Sequence, residues 1–168
     1  MATQIQGALK LRKALNKFTP DLAKETRKEI AGFLKPVVKQ ARGYAPSESP
    51  LSGWATRPNS NAKFPTYDAQ TVKRGITYQT SPSKANRKGF KSLAAIYNKS
   101  AAGAIYETAG RKTPGGNFSP RLNGELKGKN KDQGRLIFRA WEEDKGKANA
   151  AVLKAIFTAA EKFKARKR

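Results

Sequence analysis

From Leu22 to Ala41 apolar or small side chains return at Leu22, Thr26, Ile30, Phe33, Val37 and Ala41, in steps of four, four, three, four and four. That stride matches the turn of an α-helix, so it describes one helix with a continuous buried face. Thr19-Pro20-Asp21 reads as its start: a hydroxyl to cap free amides, a proline at the first helical position, and an acid opposing the positive end of the dipole. Lys24, Arg27, Lys28, Lys35 and Lys39 fall mostly on other faces. Pro36 predicts a kink, because it removes one backbone hydrogen bond and crowds the turn before it. A long amphipathic helix needs other elements to cover its apolar stripe, and the rest of the chain supplies candidates. Residues 5–18 read as a short basic helix with Leu11, Leu15 and Phe18 on one side, and residues 148–168 as another with Ala148, Val152, Ala155, Ala159 and Phe163. Lys162, Lys164, Arg166, Lys167 and Arg168 then suit a helix C-terminus or a basic tail.

Between these helices the periodicity changes. Pro, Ser, Gly and Asn recur irregularly from residue 43 to 68, which predicts a long loop, with Trp54, Phe64 and Tyr67 buried either in the chain's own core or against a partner subunit. Four stretches read as strands: TVKRGITYQT at 71–80, SLAAIYN at 92–98, GAIYETA at 103–109 and GRLIFRAWEE at 134–143. The expected fold is α+β, one domain spanning 1–168. N-terminal helices (1–42) and a C-terminal helix (145–168) pack on a roughly four-stranded, mostly antiparallel sheet (70–143) with long loops. On a strand Tyr106 faces inward and Glu107 outward, either as a surface acid or in an intersubunit pair.

Charge and missing residue types narrow the chemistry. Thirty-five Lys and Arg stand against 12 Asp and Glu, a net charge of +23, which predicts a polyanionic or acidic partner. The chain has no Cys and no His, which closes off disulfides, thiolate metal sites, imidazole bases and Ser-His triads. No apolar run reaches membrane-spanning length and the opening residues lack a signal-peptide core, so a soluble, intracellularly made protein is expected. Glu142 and Glu143 point to opposite faces of a strand and read as offsetting the last helix's dipole, without forming a catalytic pair. The TPGG turn beside Lys112 lacks the spacing of a phosphate-cradling loop. The polyanion or acidic-partner contacts expected in the basic loops are Lys84, Arg87, Lys88, Lys91, Lys127, Lys129 and Lys131, with Phe90 available for stacking.

Taken in order, KPVVKQARGYAPSESPLSGW, VKRGI, YNKSAAGAIYETAG, a Gly/Pro-rich loop, and a final element before the C-terminal helix resemble the neck and tail-completion proteins of long-tailed bacteriophages, the family related to lambda's tail-completion protein. The family's Ala-Pro turn and following glycine fall on Ala45, Pro46 and Gly53; its mid-sheet motif falls on Tyr106, Glu107 and Gly110, with Tyr106 and Glu107 adjacent here. Phe118-Ser119-Pro120 stands for its aromatic-proline element. The resemblance implies a structural virion protein at the head-tail junction, with neither catalytic site nor cofactor. It implies a homo-oligomeric, sixfold ring that meets connector or stopper, tail-terminator and tail-tube proteins, leaves a channel for genome DNA and touches no membrane. Subunit contacts are then expected at Trp54, Phe64, Tyr67, Tyr106, Glu107, Gly110, Arg111 and Lys112, and Glu107→Lys is expected to leave the chain folded but impair assembly. The alternatives are a tail-terminator ring, a ribosomal or nucleoid-type nucleic-acid-binding protein, and a histidine-free hydrolase.

Overall fold

The computed structural model describes residues 7–54, 65–85, 87, 91–110, 122, 124–128 and 132–166. These form helices α1 (Ala8–Phe18), α2 (Pro20–Gly43), α3 (Ala69–Gly75), α4 (Ala101–Thr108), α5 (Ile137–Glu143) and α6 (Lys147–Ala165), with strands β1 (Ile76–Gln79) and β2 (Ala95–Asn98). The described part of the stretch between α2 and α3, residues 44–54 and 65–68, is irregular, as the sequence predicts.

The expected four-stranded sheet is overturned. Among the described residues there is a single antiparallel pair, β1 with β2, in an otherwise helical fold. Three of the four strand assignments lose half or more of their length to helix, each for a local reason. Asp68 accepts the Thr71 amide at 2.6 Å, so TVKRG becomes α3 and only ITYQ extends. Ser100 accepts the Gly103 amide at 3.1 Å and starts α4 through GAIYETA. GRLIFRAWEE becomes α5, whose first amides are collected by a side chain 29 or more residues away. In each case a cap and tertiary packing outweigh the strand preference of β-branched and aromatic residues.

The chain divides into two compact units. Unit 1 comprises 1–36, 78–95 and 146–168; unit 2 comprises 37–77 and 96–145. The division falls just after Pro36, inside α2, which runs unbroken from Pro20 to Gly43 although Pro36 cannot donate to the Gly32 carbonyl.

In unit 1, Leu15, Leu22, Ala23 and Ala159 form a buried cluster with Leu11 and Phe163 against it. The alanines let α6 lie close to the helices of the N-terminal hairpin. Lys162 meets Glu25 and Arg166 meets Asp21, both at 2.7 Å, tying α6 to α2; at such exposed positions solvent screens each pair and it adds little. Burial of Leu22, Leu15 and their neighbours therefore supplies most of this packing. Two stripe members break the expected pattern: Phe18 is 59% exposed and Phe33 39%, because each lies at the margin of its helix's covered face.

In unit 2, Val37, Val72, Ile76, Tyr106 and Leu136 are the largest fully buried side chains. Arg42 closes the approach to β1 by donating from Nε and Nη2 to the Ile76 carbonyl at 3.0 and 2.7 Å.

Candidate functional site

Glu107 is not the outward-facing acid that a strand would make of it. Position 107 lies on α4, where residues are about 100° apart, so Tyr106 and Glu107 are both buried, at 1% and 5% exposure. The carboxylate accepts three backbone amides at the entrance to α5: Leu136 at 2.5 Å and Ile137 at 3.2 Å on Oε2, and Phe138 at 2.9 Å on Oε1. Helix entrances carry free amides and a partial positive charge, so a buried carboxylate is well matched there. Gly134 makes room for it, since a methyl group at that position would overlap the Glu107 carboxylate.

The exchange is reciprocal. Arg135, also buried, donates through Nη1 to the Tyr106 and Ala109 carbonyls at the end of α4, at 3.1 and 2.6 Å, and its guanidinium lies 5.7 Å from the Tyr106 ring centroid. Burial lowers the Arg135 pKa. An acid from α4 thus closes the start of α5, and a cation from the approach to α5 closes the end of α4.

Of the aromatic candidates, Trp54 and Tyr67 are packed among the chain's own residues. The Trp54 indole N–H donates to the Pro65 carbonyl at 2.8 Å, and its ring lies 5.3 Å from that of Tyr67. The Tyr67 hydroxyl donates to the Pro46 carbonyl at 2.8 Å, and its ring meets Tyr106 edge-on at 6.3 Å. Trp54 and Tyr67 are 5% and 4% exposed, and burial pushes the Tyr67 phenol pKa up. Gly110 ends α4 with φ +86, a left-handed conformation that a side chain would strain. Phe64, Arg111, Lys112, Lys88, Lys129 and Lys131, together with Phe90 and Phe118-Ser119-Pro120, lie outside the described residues.

Glu143 gathers a second cluster in unit 2, one that sequence spacing could not reveal. Tyr44 donates its hydroxyl to Oε2, Gln40 donates to the same oxygen at 2.9 Å, and Lys127 and Arg139 reach Oε1 at 2.9 and 3.1 Å. Lys127 also meets Glu125 at 3.4 Å, so two carboxylates share it. Glu143 therefore ties the end of α5 to α2 and to the segment carrying Lys127.

These partners, the Tyr44 hydroxyl first, hold the Glu143 carboxyl down at about 2. A depressed carboxylate adds stability above its unfolded pKa of about 4.3, and that stability is lost as pH falls toward 2. Tyr44→Phe keeps the ring beneath Arg139, 4.1 Å from the guanidinium, and removes the hydroxyl. The expected result is a Glu143 carboxyl that titrates closer to its ordinary value by NMR, and an acid-unfolding midpoint displaced to higher pH. An unchanged titration would show that Tyr44 does not hold this carboxylate.

The remaining candidate cations belong to unit 1. Lys84, Arg87 and Lys91 are exposed, and no described carboxylate pairs with them. The base of their loop is pinched where the Ser83 amide donates to the Ser92 carbonyl at 3.0 Å and the Ser92 amide donates to the Ser83 hydroxyl at 2.9 Å. Charge is unevenly divided along the sequence. Unit 1 has 19 Lys and Arg against 4 Asp and Glu (19 − 4 = +15), and unit 2 has 16 against 8 (16 − 8 = +8). The large exposed hydrophobics among the described residues, Phe18, Phe33 and Phe157, also lie in unit 1. Sequence reading missed this pairing of aromatics with cations, because it assigned Phe18 and Phe33 to buried stripes.

Comparison with protein-family models, curated proteins and solved structures gives no match to this chain. Among the described residues no helix is long and apolar enough to cross a membrane, and no group of three or more acidic side chains is arranged to hold a metal ion.

Proposed function

We propose that the chain is a structural component of the head-tail junction of a long-tailed bacteriophage, a neck or tail-completion protein that joins the tail tube to the head connector around the DNA channel as a homo-oligomeric ring. One observation carries this reading. The landmarks of the family resemblance, spread from Ala45 to Gly110, are the joints of unit 2. Ala45 is buried where α2 ends, the Pro46 carbonyl receives the Tyr67 hydroxyl, and Gly53 takes φ +78. Tyr106, Glu107 and Gly110 bind α4 to α5 or end α4, on and after a helix and not in the middle of a sheet where the resemblance puts this motif. Residues that hold a unit together in this way suit an architectural likeness. The cationic unit 1 with its exposed phenylalanines suits attachment to neighbouring proteins.

The test is the particle. Labelling of purified virions with an antibody against this chain is expected to mark the junction, and disruption of the gene to leave filled heads and finished tails unjoined. Absence of the chain from purified particles would overturn the reading; a ring confined to the tail end of detached tails would assign it instead to the tail-terminator class.

The net +15 of unit 1 favours a second reading, binding to nucleic-acid backbone. That reading expects tight binding of the purified chain to duplex DNA, with affinity falling steeply as salt rises, one counterion released per neutralised phosphate. Weak binding at low salt would remove it.

A further inference from the structure

Unit 1 contains an apolar cavity of about 30 Å³, half open to solvent, that its own side chains leave unfilled. Leu11 and Leu15 of α1, Ile30 of α2, Leu93 and Ile156 of α6 line it, and Arg12 and Arg27 complete the wall. Both guanidinium groups face neutral acceptors: Arg12 donates to the Leu93 carbonyl at 3.2 Å, and Arg27 to the Asn16 side-chain oxygen at 2.6 Å and the Ala23 carbonyl at 3.3 Å. No described carboxylate pairs with either. Burial lowers the Arg12 pKa, and the nearby Arg27 guanidinium lowers it further. Two unneutralised cations beside an unfilled, apolar hollow favour a ligand that brings both negative charge and apolar bulk.

The size of the hollow selects among such ligands. Its volume corresponds to roughly two water-sized spheres, enough for the end of one aliphatic side chain and too little for an acyl chain. Nucleic acid supplies the charge but has no aliphatic arm. Phe18 and Phe33, each three residues beyond a lining residue on the same helix, carry exposed apolar surface along α1 and α2. We propose that this cavity docks an acidic segment of a partner protein, with a Leu, Ile or Met side chain filling the hollow and flanking Asp or Glu carboxylates pairing with Arg12 and Arg27. The inference rests on the assembly reading for its choice of a protein partner.

Fluorescence anisotropy of the full chain tests it with three probes at equal ionic strength: a short labelled peptide of Glu and Leu at helical spacing, a labelled DNA duplex, and phosphatidylglycerol vesicles. The peptide is expected to bind, and Arg12→Gln with Arg27→Gln to weaken it by about tenfold or more. The charge-matched Lys154→Gln with Lys164→Gln, on α6 away from the cavity lining, is expected to change it by less than about threefold. Thr26→Leu places extra carbon in the cavity and is expected to weaken the peptide by about tenfold while helicity and thermal unfolding hold. Equal losses in the two double variants, no peptide binding, or duplex or vesicle binding that falls with Thr26→Leu would each overturn the proposal. Failure of the peptide would leave the head-tail reading standing; absence of the chain from virions would remove that reading and leave peptide binding as measured.

Discussion

Glu107→Ala is expected to destabilise unit 2 by about 3 kcal/mol, since three amides at the start of α5 lose their acceptor in a buried setting and each such loss costs about 1–3 kcal/mol before relaxation. Glu107→Gln retains one acceptor oxygen but turns an NH₂ group toward donors, so an intermediate loss is expected. Glu107→Lys puts a cation against three N–H groups and beside Arg135, and the expected outcome is an unfolded unit 2, which replaces the expectation of a folded chain defective only in assembly. Urea unfolding followed by tryptophan fluorescence reads this directly, because both tryptophans, Trp54 and Trp141, belong to unit 2. A loss below about 0.5 kcal/mol for alanine, the range of ordinary surface substitutions, would mean that water replaces the carboxylate and the interlock contributes little.

Trp54→Ala is the second large effect, about 3–5 kcal/mol, the range for removing a buried aromatic side chain. It removes the face that meets Tyr67 and the indole bond to Pro65, and it leaves a hollow beside a tyrosine whose hydroxyl holds the chain at Pro46. The measurement separates the two sequence-level readings of this residue. A core tryptophan lowers the unfolding midpoint of the isolated chain when replaced, whereas an intersubunit anchor leaves that midpoint unchanged and affects only assembly. Trp54→Phe, which keeps an aromatic face, is expected to lose less than half as much.

The helices at both ends were legible because their information is local. The stride from Leu22 to Ala41, the Thr19-Pro20-Asp21 start and the Ala155–Ala159 spacing each lie within a few turns, and α2 and α6 form where they predict. The middle was misread because apolar composition there says strand while short-range capping says helix. Asp68 three residues before Thr71 and Ser100 three before Gly103 are helix-start signals that outweigh the β-branched content around them. Residue 107 was beyond any local reading. Its partners lie 29 to 31 positions away, and nothing in the stretch IYETAG distinguishes a surface acid from one that closes another helix. The same holds for Glu143 and Tyr44, which are 99 positions apart.

The interlock of α4 and α5 also bears on insertion into the chain. Glu107 and Arg135 fasten the two ends of the stretch that includes 111–121, so the register of α5 does not depend on how many residues separate them. Lengthening a closed stretch costs little, about 0.6 kcal/mol for each doubling. A purification tag inserted between Gly115 and Gly116 is therefore expected to leave the Glu107 contacts at the start of α5 in place, with the thermal unfolding midpoint of the tagged chain as the measurement.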